Sequence, residues 1–414
     1  MLGLGGQRRG SLLGALDIGT HKIVCLAIEV QLGRRGAAPT LTCLGTGHLA
    51  SAGMAAGTVV NPDALDEAIR AVVLQAERQA RVDLGEVYVT VSCGRLKSLS
   101  FAAHADTSSG TVTGADVDRI VDDATAYCTR DGRVLVHMNR KSYRIDGAIT
   151  GGNPRGMRAK RLTADLHAVT ADEGAIDNLM LAISRAHLTT KGLVASPYAS
   201  ALGVTSEEER DLGVVVVDLG CGTTGLAVLA DGQFRHCEVL ATGGHHLTFE
   251  IAKNFQAPQI EAERIKTLYA SMVNAQSDHG HRFSFTPAGG ADDRRGEASK
   301  AELADVVVPR MTSLFRAIAA RIAAVGAERL PVVLTGGGSQ LLGVAEFATE
   351  LLERDVRIGR TRVLAGMPPG SERAAFASAV GLAEAAVSAQ TIGGRSLGRT
   401  GYFGEVRRWF ANGF

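Results

Sequence analysis

At 414 residues the chain is long enough for more than one core, since domains commonly run roughly 100–200 residues. Hydrophobic residues make up 45% and charged residues 21%, an ordinary globular balance, and a formal net charge of +1 excludes a whole-molecule field for nucleic acid. No apolar run reaches the roughly 18–20 residues of a membrane span and no signal-length apolar core follows Arg8 and Arg9, so a protein made and kept in the cytosol is expected.

Residues 14–60 read as three strands. The first ends in Leu16-Asp17-Ile18-Gly19-Thr20 and turns into the apolar strand Ile23–Ile28; Thr40–Leu44 supplies the third. A helix follows, with Asn61 as N-cap, Pro62 in the first position, and Leu65, Ile69, Val72, Val73, Ala76 and Ala80 on one face. Val87, Val89 and Val91 alternate with polar neighbours, which predicts a half-buried strand.

From about Gly94 to Thr163 the texture changes to short strand-like and helical pieces rich in polar residues, and an inserted small domain is expected there. Its far end, Gly151 to Arg161, is a basic, turn-rich loop with no interleaved aromatic residues, which reads as solvated loop and not as a nucleic-acid patch. Residues 172–188 form an amphipathic helix on Ile176, Leu179, Met180 and Ile183. Leu193–Ala195 is a short strand, and Ser196-Pro197 is read as the cap of a helix linking two halves.

The second half begins at Asp211. Val214-Val215-Val216-Val217-Asp218-Leu219-Gly220-Cys221-Gly222-Thr223-Thr224-Gly225 repeats the pattern of acid, apolar residue and glycine seen at Asp17. Gly220 and Gly222 admit positive φ and close approach, so successive N–H groups of the turn can face an anion, with Thr223 and Thr224 hydroxyls as extra donors. Asp218 repels a bare phosphate but suits a hydrated Mg²⁺ bridging carboxylate and phosphate oxygens. Two such hairpins predict a duplicated fold clamping one Mg-nucleotide between its halves.

Asp231-Gly232 then turns into a strand through Val239 and Leu240. The adjacent His245 and His246 read as a helix start, because neighbours on a helix diverge too far to chelate one metal. A helix around Ile260–Met272 gives way to Gln276–Glu297, expected as a mobile surface loop, and Ala301–Ala327 returns to helix. Pro331–Ser339 reads as strand, triple-glycine turn and helix, with Gly336, Gly337 and Gly338 leaving bare backbone for a flat ring. The six cysteines contain no CxxC pair and read as reduced packing thiols.

After an apolar helix around Phe376–Val387, residues 390–400 read as a flexible linker. In 401–414, helical spacing puts Tyr402, Phe403, Val406, Trp409, Phe410 and Phe414 on one side, flanked by Arg407 and Arg408, the pattern of an interfacial membrane helix. Residues 391–414 hold four arginines and one glutamate, and each nearby basic residue attracts anionic lipid by about 1 kcal/mol.

The two acidic hairpins, the Thr335-Gly336-Gly337-Gly338-Ser339 turn and the linker with its amphipathic end together resemble the FtsA family of bacterial cell-division proteins, within the actin/Hsp70/sugar-kinase ATPase superfamily. The resemblance includes Gly152-Asn153-Pro154-Arg155-Gly156-Met157, Ala199-Ser200-Ala201-Leu202 and the stretch 350–359. It implies an α/β, actin-like duplicated ATPase fold. The first core would be 11–93 with 164–208, the inserted subdomain 94–163, the second core 211–244 with 301–389, and a smaller subdomain 245–300.

By the same resemblance, ATP and Mg²⁺ bind between the halves. Asp17, Gly19, Thr20 and Lys22 form the first phosphate loop, and Asp218, Gly220, Gly222 and Thr223 the second, with Asp17 and Asp218 holding Mg²⁺ through water. Gly336, Gly337 and Gly338 face adenosine, and Glu263 and Lys266 the ribose. The implied partners are the C-terminal peptide of the tubulin-like protein FtsZ, further copies of the chain in a homopolymer, anionic membrane lipid and later divisome proteins, at the cytoplasmic side of the inner membrane at the division site. Two departures concern the second loop: Cys221 replaces a glycine, and Gly225 stands where a second aspartate often sits. Glu250 replaces a more usual aspartate. The missing carboxylate bears on hydrolysis more than on binding, so at most weak ATPase activity is expected. The competing readings are a small-molecule kinase of the same superfamily, for which the chain shows no carboxylate base, and a pilus-assembly scaffold of related fold.

Overall fold

The computed structural model describes residues 10–31, 33, 39–150, 152–273, 280–289 and 295–392. The expected amphipathic segment, with Tyr402, Phe403, Val406, Arg407, Arg408, Trp409, Phe410 and Phe414, lies outside the described residues, as does the linker from residue 393.

Strands β1 (Ser11–Ile18), β2 (Lys22–Gln31) and β3 (Thr40–Ala50) form an antiparallel meander, followed by a small hairpin of β4 (Met54–Ala55) and β5 (Thr58–Val59). Helix α1 (Pro62–Ala80) starts as its sequence requires, with the Asn61 side chain accepting from the Ala64 N–H, and buries Leu65, Ile69, Val72, Val73 and Ala76. Strand β6 (Glu86–Val91) pairs parallel to β1. It is not half-buried: Tyr88 and Thr90 are 4% and 2% exposed, because a parallel strand inside a layered fold is covered on both faces.

The insert comprises β7 (Lys97–Asp106), α2 (Gly114–Cys128), β8 (Arg133–Ile145), β9 (Ala148–Thr150) and β10 (Arg161–Asp172). Its antiparallel sheet runs β7-β10-β8-β9, and α2 closes a separate core around Ile120, Val121, Leu135, Leu162 and Leu166. The expected end of the insert at 163 falls inside β10, whose pairing with β7 continues to Thr170. Helix α3 (Glu173–Arg185), β11 (Thr189–Ala195), α4 (Ser196–Val204) and α5 (Glu207–Leu212) lead into the second half. Ser196 is the first helical residue of α4, and no side-chain hydrogen bond caps that helix.

The second sheet is built from β12 (Val214–Leu219), β13 (Thr224–Ala230) and β14 (Gln233–Leu240). Then come α6 (Gly244–Phe255), α7 (Gln259–Tyr269), the hairpin β15 (Arg282–Phe285) and β16 (Gly296–Ser299), and α8 (Lys300–Ala324). Strand β17 (Val332–Thr335), α9 (Val344–Leu352), β18 (Val356–Ile358) and α10 (Ala377–Ile392) complete it. The order β14-β13-β12-β17-β18 repeats β3-β2-β1-β6-β11: a meander, then two strands parallel to its first. The fold is therefore a duplication. The expected loop 276–297 instead contains β15, whose Phe283 and Phe285 are buried, Phe283 stacking on Tyr269 at 4.7 Å. After β17 only a 3₁₀ turn, Gly337–Gln340, follows directly, in place of the expected helix start.

Two helices lie between the sheets. Helix α10 packs Val380, Leu382 and Ala383 with Leu13, Ala15 and Leu26 of the first sheet, while Ala201 and Val204 of α4 pack with Val214, Val216 and Ala227 of the second. They cross at glycines. A Cβ on Gly381 would lie 1.7 Å from the Ala199 oxygen, and one on Gly203 2.2 Å from the Ala377 oxygen, so neither position admits a side chain.

The insert meets the core through rings and histidines. Tyr198 stacks on Phe234 at 4.3 Å, the His137 and His167 rings stand edge-on to Phe234, and Asn139 donates to the Phe234 oxygen at 3.0 Å. His137 accepts the Ala195 N–H at 2.8 Å, and burial pushes its pKa down to about 4; burial, helped by the Lys141 charge, pushes that of His167 down to about 3. Both groups bind fewer protons folded than unfolded. Their contribution to stability is complete above the ordinary histidine value of about 6.5 and is lost as pH falls toward 4. In urea unfolding below pH 6.5, His137→Gln should therefore flatten the dependence of stability on pH by up to about 1.4 kcal/mol per pH unit; an unchanged slope would exclude His137 as its source.

Candidate functional site

The cleft between the sheets encloses about 740 Å³, within the roughly 300–1,000 Å³ of small-molecule sites. Asp17, Gly19, Thr20 and Lys22 line it from the first half, and Asp218, Gly220, Gly222 and Thr223 from the second. Glu263, Lys266, Gly336, Gly337 and Gly338 line it too, so every described residue expected at the nucleotide site reaches one cavity.

The acids occupy equivalent places in the two copies. Asp17 lies opposite Val24 in its hairpin and Asp218 opposite Gly225 in its own. Each has a hydroxyl partner: Thr90 Oγ1 donates to Asp17 Oδ1 at 2.6 Å, and Ser200 Oγ to Asp218 Oδ2 at 2.5 Å. Lys22 Nζ is buried with no hydrogen-bond partner among the described residues and lies 5.2 Å from the Phe376 ring centroid. Burial pushes both carboxyls above the usual range, against the pull of the Lys22 charge, and the Asp218 charge raises Asp17 further. Burial likewise lowers Lys22, opposed by the two acids. Two carboxylates facing one ammonium leave an excess of negative charge where water is scarce, which a multivalent cation relieves.

Around the acids the turns leave amides unpaired. Gly19 N–H donates to the Lys22 oxygen at 3.0 Å, but the N–H groups of Thr20, His21, Cys221, Gly222 and Thr223 have no partner among the described residues. Gly244 N–H donates to the Gly220 oxygen at 2.9 Å and His245 N–H to the Cys221 oxygen at 2.8 Å. With its carbonyls drawn to the start of α6, the second turn keeps its amides for the cleft.

Neither Gly220 nor Gly222 has the expected positive φ. Crowding is what requires glycine here: a Cβ on Gly222 would lie 2.5 Å from Thr20 Oγ1, and one on Gly220 2.7 Å from the Thr223 oxygen. The β4–β5 turn backs the first loop, with Gly57 N–H donating to Thr20 Oγ1 at 3.0 Å. Its signal was present in Ala56-Gly57, both at positive φ, a pair suited to a tight hairpin turn.

The triple glycine plays mixed roles. Gly336, at φ 79°, and Gly338 are pressed against Asp218 and Leu219, while a Cβ on Gly337 would meet nothing within 4 Å. Bare backbone for a flat ring is thus limited to Gly337. Lys266 Nζ donates to Glu263 Oε2 at 2.7 Å and to Thr248 Oγ1 at 2.9 Å, tying α7 to α6. Despite burial, hydrogen bonds from Lys266 and Thr248 hold the Glu263 carboxyl below its ordinary value. Opposite Asp218, a Cβ on Gly225 would lie 2.8 Å from Pro197 Cγ, so a proline ring occupies the space beside it. Sequence reading named Ser200 only within the Ala199–Leu202 run, with no role at the acids, and missed Thr90 and Ser378, because lone hydroxyl residues far along the chain from the acids carry no motif.

A family model described as cell division protein FtsA matches residues 215–381, and one described as an SHS2 domain inserted in FtsA matches residues 93–170. The cell division protein FtsA of Agrobacterium fabrum strain C58 is 34% identical over 385 residues, covering 91% of this chain and 87% of that protein. The chain belongs to the FtsA family of cell-division proteins.

The family's SHS2 domain corresponds to the insert β7–β10, and the longer FtsA match to the second half. Two solved structures share the actin-like fold. The PilM–PilN type IV pilus biogenesis complex superposes with a TM-score of 0.63 at 19% identity, over 91% of this chain and 98% of that one. MreB5 of Spiroplasma citri bound to ADP superposes with a TM-score of 0.54 at 11% identity, over 92% and 99%.

Lys22 is the cation facing both acids, Asp17 buried and Asp218 half-buried. Lys22→Met should lower the unfolding free energy by roughly 3 kcal/mol near neutral pH, because an uncompensated buried charge remains. The loss should shrink as the acids protonate at lower pH and in the double variant with Asp17→Asn. A pH-independent loss in urea titrations would contradict this account.

Proposed function

We propose that this FtsA-family protein binds ATP with Mg²⁺ in the cleft, polymerises on the cytoplasmic face of the inner membrane at the division site, tethers FtsZ filaments by their C-terminal peptide and recruits later divisome proteins. The observation that carries the nucleotide reading is the convergence of Asp17, Asp218 and the unpartnered Lys22 Nζ between two turns with free amides. A cradle of amides and one cation fits phosphate oxygens, and the paired acids fit a hydrated metal. ADP bound to the fold neighbour MreB5 supports the same class of ligand.

In this reading Asp17 and Asp218 hold Mg²⁺ through water, and Lys22 with the Thr20 and Thr223 hydroxyls faces the phosphates. Gly337 lies beside the base, and Glu263 and Lys266 reach the ribose. Bound there, Mg²⁺ supplies the positive charge that lets carboxylates and phosphate oxygens share one site. Pro197 fills the space beside Gly225, where the resemblance often has a second carboxylate, which supports slow turnover of the nucleotide over rapid hydrolysis.

Membrane attachment is assigned to residues 401–414 on the amphipathic pattern of their sequence, with rings on one side and Arg407 and Arg408 beside them. Rings plus arginines suit an interface, and because a single segment binds reversibly, assembly into filaments would add avidity.

Calorimetry should find that Asp218→Ala weakens nucleotide binding at least about tenfold with Mg²⁺ and little in EDTA, the mark of a metal-holding acid; equal losses in both would refute that role. Removing the residues after Ile392, or replacing Trp409→Glu, should abolish co-sedimentation with anionic liposomes while leaving nucleotide binding intact. Undiminished sedimentation would rule out the tail as anchor.

A further inference from the structure

The two acids of the cleft are held in different ways. Thr90, the partner of Asp17, belongs to β6, the strand next to β1 in the same sheet. Asp218 has its partners outside its own sheet. Ser200 lies on α4, and Ser378, in the first turn of α10, sits 2.7 Å from Ser200 Oγ and 3.4 Å from Asp218 Oδ2.

Each serine has one O–H to give. That of Ser200 goes to Asp218 across 2.5 Å, and that of Ser378 reaches Asp218 Oδ2 at 3.4 Å with Ser200 Oγ 2.7 Å away. Hydroxyls from α10 and α4 thus meet at the carboxylate, each polarising the other. They engage Oδ2, and Oδ1 is left beside Gly336, where a Cβ would come within 2.2 Å of it. Ser200 is fully buried, and Ser378 lines the cleft with Asp218.

Helix α10 meets α4 in the close contacts at Gly203 and Gly381, and the first of these is with Ala377, the residue before Ser378. Its 16 residues span about 24 Å at 1.5 Å per residue, and its far end, Ile392, directly precedes the tail.

We propose that Ser378 and Ser200 are positioning residues that make the metal-facing orientation of Asp218 depend on the seating of α10 against α4, so that Mg-nucleotide in the cleft and docking of α10 stabilise each other. The inference rests on the reading of the cleft as a Mg-nucleotide site. Because such coupling is reciprocal, filling the cleft must tighten α10, and loosening α10 must weaken the metal-dependent part of binding.

The test uses the full chain with ATP, titrated calorimetrically in excess Mg²⁺ and in EDTA, together with hydrogen exchange over 379–392. In the wild type, Mg²⁺ should raise affinity, and Mg-ATP should slow exchange in α10. Ser378→Ala should cut the gain due to Mg²⁺ about three- to tenfold, as expected for one lost hydrogen bond in a charged network, and leave affinity in EDTA unchanged. Ser378→Thr, which keeps the hydroxyl, should restore the gain. A purely structural role would weaken binding equally with and without metal.

A full Mg²⁺ gain in Ser378→Ala overturns the proposal, and so does wild-type α10 exchange indifferent to Mg-ATP, a measurement that needs no variant to fold. If the wild type binds no nucleotide under either condition, the reading of the cleft itself fails, and that outcome is distinct from a failure of the serine pair.

Discussion

The crossing of α4 and α10 sets the geometry on which the cleft depends. Each helix packs on one sheet, and where they meet Gly203 and Gly381 let backbone lie against backbone. A side chain at either point would push the sheets apart. The same closeness recurs at the mouth of the cleft, where Gly222 leaves room for Thr20 of the opposite turn. Asp17 and Asp218 come to face one gap because equivalent positions of a repeated topology are brought together at this spacing.

That spacing has an electrostatic consequence. Two carboxylates are enclosed with one ammonium and three hydroxyls, and burial disfavours the charged form of every ionisable member. Such an arrangement is uncomfortable on its own and improves when a ligand brings positive charge to the acids and anionic oxygens to Lys22 and the free amides. Perturbed groups gathered in a cleft are a mark of function, and here the geometry points to the same place. The insert stands apart from this chemistry, with its own core and a joint to the body made of rings and neutral histidines.

Much of the organisation was legible from residue order. Asn61-Pro62 and the spacing of Leu65, Ile69 and Val72 specify α1 locally, and the repeated acid–glycine turns announce the duplication. The misses share a cause. Val87, Val89 and Val91 alternate as in a half-exposed strand, yet partners on both faces bury Tyr88 and Thr90 too. Phe283 and Phe285 sit in a stretch whose Gly, Asp and Ser content outweighed the alternation of two rings, and packing against Phe255 and Tyr269 gives them a core.

By itself the sequence determined most of the core strands and longer helices, the duplication with its two acid–glycine turns and the separate insert, because periodic burial and turn chemistry are written within a few neighbouring positions. Tertiary structure alone decided why Gly222 must be glycine, since the colliding atoms, on Thr20 and Ala56, belong to other parts of the fold. It also decided which hydroxyls hold the acids: Thr90 is 73 positions from Asp17, and Ser378 160 from Asp218. Hydrogen bonds act over ångströms in space, and separations of that size along the chain leave no local pattern to read.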